Sequence, residues 1–124
     1  MGLLSGLLGN AAETDVAEVE QELGQILAEG ETVERAFQLI RDLMIFTRTR
    51  LILVDKQGIT AKKTEYHSIP YRAITHFSVE TAGHFDLEAE LRIWVTSYPE
   101  PLTRTFKRGG AILEVQKALA TYVK

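Results

Sequence analysis

No cysteine occurs anywhere in this chain of 124 residues. That absence excludes disulfides, thiolate metal sites and thiol nucleophiles. It also fits a reducing compartment. Proline is scarce, with Pro70, Pro99 and Pro101 the only three. Strands are therefore interrupted at few places. Positive charge is not in excess: 14 Lys and Arg stand against 17 Asp and Glu, a formal net charge of −3. The basic residues are scattered rather than clustered, which argues against nucleic-acid binding and against strong attraction to anionic lipid. No apolar run approaches the roughly twenty residues needed to span a membrane. The start, Met1 to Asn10, carries Leu3, Leu4, Leu7 and Leu8 without Lys or Arg. It lacks the basic beginning of a secretory signal. Gly6 stands where a myristoylation pattern wants Ser or Thr. The expected location is cytoplasmic, with no stable membrane insertion.

What is present is an ordinary globular composition, 45% hydrophobic and 25% charged. That suits one structural unit with one core and no staples. The first thirty residues read as a helical extension, followed by a domain over 31–124. Leu3, Leu4, Leu7 and Leu8 share one face of a short helix ending at Gly9-Asn10. Asp15 and Glu18 have the spacing of an acidic capping box. Val16, Val19, Leu23, Ile26 and Leu27 then repeat at helical spacing, predicting a helix from Asp15 to Ala28 stopped by Gly30. Its polar face is acidic, so a covering role for the core is favoured over membrane contact.

From Glu31 the period changes. Strands are expected over Val33 to Ile40, Leu43 to Val54, Ile59 to His67, Ile74 to Glu80, Phe85 to Val95 and Leu102 to Lys107; these six stretches, one of them long and interrupted, read as about seven strands. The second carries a polar interruption, Thr47 to Arg50, and ends in Leu51 to Val54, apolar on both faces. Both faces there should be covered. Asp55-Lys56-Gln57-Gly58 and Ala82-Gly83 read as turns. Pro70 belongs at a strand edge or end. Between Phe85 and Val95 every odd position is apolar, and Asp86, Glu88, Glu90 and Arg92 fill even ones, which is strict strand alternation. Trp94 breaks the pattern by falling on the polar side. After Gly109-Gly110, a helix from Ala111 to Val123 puts Ile112, Val115, Leu119 and Tyr122 on one stripe. The fold class is mainly β with added helices (α+β). It is a partly open, seven-stranded antiparallel barrel or sandwich, capped by the C-terminal helix and preceded by a helical pair.

The strings RLILVDKQG, YHSIPY and ITHFSVETAGHFDLEAELRIW, within Phe46 to Trp94, closely resemble the short bacterial pleckstrin-homology (PH) domain family. So do the MGLL start and the ATYVK end. The resemblance implies a single PH barrel with no known catalysis and no cofactor. It implies cyclic homo-oligomers, pentamers where the chain is this short. It also implies a polar surface at the junction of neighbouring protomers that binds an unidentified protein partner. Open barrels keep edge strands, and identical chains joined head to tail close as rings when the rotation allows.

Catalytic and metal constellations are missing. His67, His76 and His84 match no zinc spacing, and no HExxH, GxSxG, Walker or GxGxxG pattern occurs. The acids of Asp86 to Glu90 read as the wet face of a strand. The expected interaction surface comprises Trp94, Arg48, Arg50, Lys62, His67, Glu80 and Thr81. For Trp94 two readings stay open: an anchor between molecules, or packing beneath the N-terminal helices. The alternative function is peripheral binding of anionic headgroups. It would use the leucine-rich start and a thin strip of Arg48, Arg50 and Lys62 on neighbouring strands.

Overall fold

The structure is a computed structural model, describing residues 15–39, 42–57, 63–81, 88–107 and 111–123. Helix α1 spans Val16–Glu22. Asp15 caps it, its carboxylate accepting from the amides of Ala17 and Glu18 at 3.0 and 3.4 Å. Regular helix stops at Leu23, short of the expected Ala28. Gly24 follows, a poor helix former, and looser turns lead to Gly30 at φ 82°. The apolar face survives the loosening. Val16, Val19, Leu23, Ile26 and Leu27 all pack into one cluster.

Among the described residues seven strands follow: β1 Val33–Gln38, β2 Asp42–Thr47, β3 Arg50–Gln57, β4 Lys63–Pro70, β5 Ile74–Thr81, β6 Ala89–Val95 and β7 Leu102–Phe106. They form a four-stranded antiparallel sheet, β1-β2-β3-β4, and a three-stranded one, β5-β6-β7. A 3-10 turn at Tyr71–Ala73 joins the two sheets. Helix α2, Ile112–Tyr122, ends the described chain. Pro70 is the last residue of β4, as its missing amide requires.

The interrupted strand expected from Leu43 to Val54 is instead a tight hairpin. Phe46 pairs with Leu51, and the chain reverses between them. Thr47 makes the reversal: its hydroxyl oxygen accepts from the amides of Thr49 and Arg50 at 3.2 and 3.1 Å. A threonine bonding forward to its own backbone is a turn device. Asp55 to Gln57 stay in β3 rather than forming the expected turn, and Gly58 lies outside the described residues. Leu3 to Leu8, Ala82-Gly83, Phe85 and Leu87 also lie outside the described residues.

Two cores result. The inner one gathers Phe37, Met44, Phe46, Leu51, Leu53, Leu91, Ile93 and Phe106 from both sheets, with Val115, Ala118 and Leu119 of α2. The outer one sets Val19 and Leu23 of α1 on Val33, Ala36, Leu43, Ile45, Ile52 and Val54. Strands β2 and β3 are thus buried on both faces, as Leu51 to Val54 required, while β4 is largely exposed. In β6 the alternation holds: Ala89, Leu91, Ile93 and Val95 are buried, while Glu90, Arg92 and Trp94 are partly exposed.

Candidate interaction surface

At the turn of the β2–β3 hairpin a polar clasp ties the elements together. Glu31 Oε1 accepts from the Ala28 amide at 2.8 Å and Arg50 Nη2 at 2.9 Å. Glu31 Oε2 accepts from Arg50 Nε at 2.9 Å, and from the Thr47 and Thr49 hydroxyls at 2.7 and 3.2 Å. Arg50 also donates to the Ile26 carbonyl and to Ser68 Oγ. The Arg50 hydrogen bond holds the Glu31 carboxyl down at about 2, against the opposing effect of burial. Beside the clasp, Tyr71 donates to the buried Thr47 carbonyl at 2.6 Å. Tyr122 of α2 stacks on both Tyr71 and Phe46, and its hydroxyl donates to Glu34. Burial pushes Tyr71 well above the usual phenol range. Burial, then the bond to Glu34, pushes Tyr122 up to about 12.

This arrangement corrects the expected basic strip. Arg48 and Arg50 do not lie two apart on one strand, because the Thr47 turn separates them. Arg50 is consumed by the clasp. Arg48 projects from the turn, 85% exposed, and leans on Glu34 at 3.5 Å. Lys62 lies outside the described residues.

The remaining expected residues fall on two places. His67 on β4 stacks against Tyr98 of the β6–β7 connection, with ring centroids 5.9 Å apart and a 3.3 Å contact from Tyr98 Oη to His67 Nε2. Trp94, Glu80 and Thr81 belong to the three-stranded sheet. Trp94 does not lie under α1, which packs on the other sheet. Its indole stacks on His76, directly opposite on β5, at 4.3 Å and 17°. Arg92 bridges Glu80 at 3.1 Å and pairs with Glu90. Glu80, Thr81, Glu88, Ala89, Glu90 and Thr105 line an open cleft of about 310 Å³. Sequence reasoning missed His76, Arg92 and Tyr98 as surface partners. Strand alternation put Arg92 outward, but only the cross-strand register reveals whom each residue meets.

Among the described residues no group of three or more His, Asp or Glu side chains is placed to hold a metal ion. No described helix is long and apolar enough to cross a membrane.

Residues 2–123 match the bacterial PH domain family. The chain is 57% identical over 121 residues to uncharacterized protein YjqA of Bacillus subtilis, covering 97% of each. It is 29% identical over 118 residues to YozO of the same organism, covering 95% of this chain and 97% of that one. Among solved structures, a pleckstrin homology domain from Shewanella amazonensis superposes with a TM-score of 0.84 at 50% identity, with 99% of both chains covered. A DUF1696 family protein with a PH domain from Shewanella loihica gives 0.82 at 49% identity, covering 94% of this chain and 99% of that one. Match length, identity and the two-sheet architecture agree: this chain belongs to the bacterial PH domain family.

Proposed function

We propose that the chain is a non-catalytic binding module that self-assembles through its strand edges into a cyclic homo-oligomer, a pentamer, and presents a polar surface to a partner protein. The free sheet edges carry this reading. β4 and β5, eight residues each, are end strands of their sheets. Each offers one row of backbone N–H and C=O groups without a described neighbouring strand. Such rows template pairing with another chain. Two different edges on identical chains join head to tail, and such contacts close into rings when the rotation allows. The Trp94–His76 stack adds a pre-set aromatic pair of the kind that anchors protein contacts.

Headgroup binding draws less support. It needs several free cations converging on phosphates. Here Arg50 is tied to Glu31, and Arg48 leans on Glu34. Light scattering on the full chain at micromolar concentration tests the proposal. The expected mass is about five times the 13.9 kDa protomer. A monomer at every concentration removes the assembly claim. Pelleting with vesicles containing phosphatidylserine, lost on R48E, would favour the membrane reading instead.

A further inference from the structure

The outer face of the β5-β6-β7 sheet has a consistent chemistry. By register, His76, Ser78 and Glu80 of β5 lie opposite Trp94, Arg92 and Glu90 of β6. Arg92 and Glu90 in turn face Thr103 and Thr105 of β7. The other face of the same strands sends Leu91, Ile93 and Phe106 into the core. Among the described residues, neither helix covers the outer face: α1 packs on the four-stranded sheet and α2 on the inner core.

One end of the face is anionic. Three carboxylates, Glu80, Glu88 and Glu90, line the cleft, and Arg92 pairs with two of them, Glu80 and Glu90. The other end offers an acceptor too. The Thr75 hydroxyl donates its one hydrogen to the Trp94 carbonyl at 3.2 Å. With the hydroxyl hydrogen on that carbonyl, His76 Nδ1, 3.1 Å from the same oxygen, is the group that donates to it. That arrangement leaves His76 Nε2 as the ring atom able to accept from a ligand. The stack on Trp94 fixes the plane of this ring. From His76 to Glu80 is four strand residues, roughly 13 Å. Along that length the face presents an imidazole lone pair, then carboxylates.

From this pattern we infer that the outer face of the β5-β6-β7 sheet docks an arginine-bearing segment of a partner protein. The inference rests on the reading of the domain as a protein-binding module and names its partner's chemistry. A guanidinium has five donors and no acceptor, forks onto carboxylates, and lies flat against aromatic rings. Side chains two apart on an extended segment share a side about 7 Å apart. Two or three arginines so spaced reach from the His76–Trp94 end to the Glu80–Glu90 end. Nucleic acid or anionic lipid would bring negative charge and acceptors to a face already made of both.

Fluorescence anisotropy with the full chain tests this. The probe is a fluorescein-labelled peptide of alternating arginine and threonine, with a twin in which glutamate replaces each arginine. The arginine peptide binds, more weakly at high salt, and the twin does not. Glu80→Gln with Glu90→Gln weakens binding by about tenfold or more, while Glu18→Gln with Glu29→Gln, the same charge change elsewhere, leaves it within about twofold. His76→Ala, which spares the acids, also weakens it. Glu80 and Glu90 are exposed enough for the fold to persist, which circular dichroism verifies. Equal affinity for all variants, binding of the twin, or no binding by the unaltered chain overturns the inference. Light scattering on the same samples separates the two claims. A ring that ignores the peptide refutes this inference and leaves self-assembly standing, and a monomer that binds it does the reverse.

Discussion

Replacing Glu31 by glutamine should cost this protein about 2–3 kcal/mol at neutral pH. Five donors converge on the two Glu31 oxygens, and its side chain is only 6% exposed. Glutamine keeps one acceptor oxygen and turns an NH2 donor toward the other donors. The carboxyl falls from 4.5 to about 2 on folding, a shift that corresponds to about 3 kcal/mol. Breaking a buried ion pair costs about 3–5 kcal/mol, but Arg50 keeps its bonds to Ile26 and Ser68 and is 22% exposed, which reduces the loss. The sign with pH follows from the direction of the shift. A carboxyl depressed on folding stabilises the protein above its unfolded value and loses that contribution as pH falls toward the folded one. In urea titrations the gap between wild type and Glu31→Gln should be constant from pH 7 to about 5 and then close as pH approaches about 2. A gap under about 0.5 kcal/mol at pH 7, or one unchanged down to pH 2, would refute the clasp.

Other perturbations read out the rest of the scaffold. Leu91→Ala empties a fully buried site between the sheets and should cost about 2–5 kcal/mol in urea unfolding. Asp15→Ala removes the α1 cap and should cost about 1 kcal/mol, with faster amide exchange confined to α1 and its neighbours. Tyr122 is held protonated up to about 12 against an ordinary 10.0. Its contribution is complete below 10, so stability should fall as pH climbs from 10 to 12, and Tyr122→Phe should flatten that decline.

Legibility varied with how local the information was. Helix α1's apolar face, the β6 alternation and the double burial of Leu51 to Val54 depend on side-chain period, which a sequence displays directly. The PH assignment came from extended strings that include the strands Leu51 to Val54 and Ile74 to Thr81. The Thr47 hairpin was misread because its signal is a hydroxyl bonding to its own backbone, in a stretch with no glycine or proline. The surface was legible residue by residue but not in pairs. Trp94 stood out as an outward tryptophan, yet its partner His76 is fixed by strand register. That register depends on the connection between β5 and β6, whose length alone does not set it. Arg50 looked like a free surface cation, and nothing in its immediate neighbours indicates that Glu31, nineteen residues away, claims it.

Small-angle X-ray scattering of the full chain addresses the ring itself, because it reports shape as well as mass. A compact monomer of this length has a radius of gyration of about 14 Å. A pentameric ring requires a clearly larger radius, forward scattering near five times 13.9 kDa, and the side maximum of a hollow ring. A radius of about 14 Å at every concentration would contradict it.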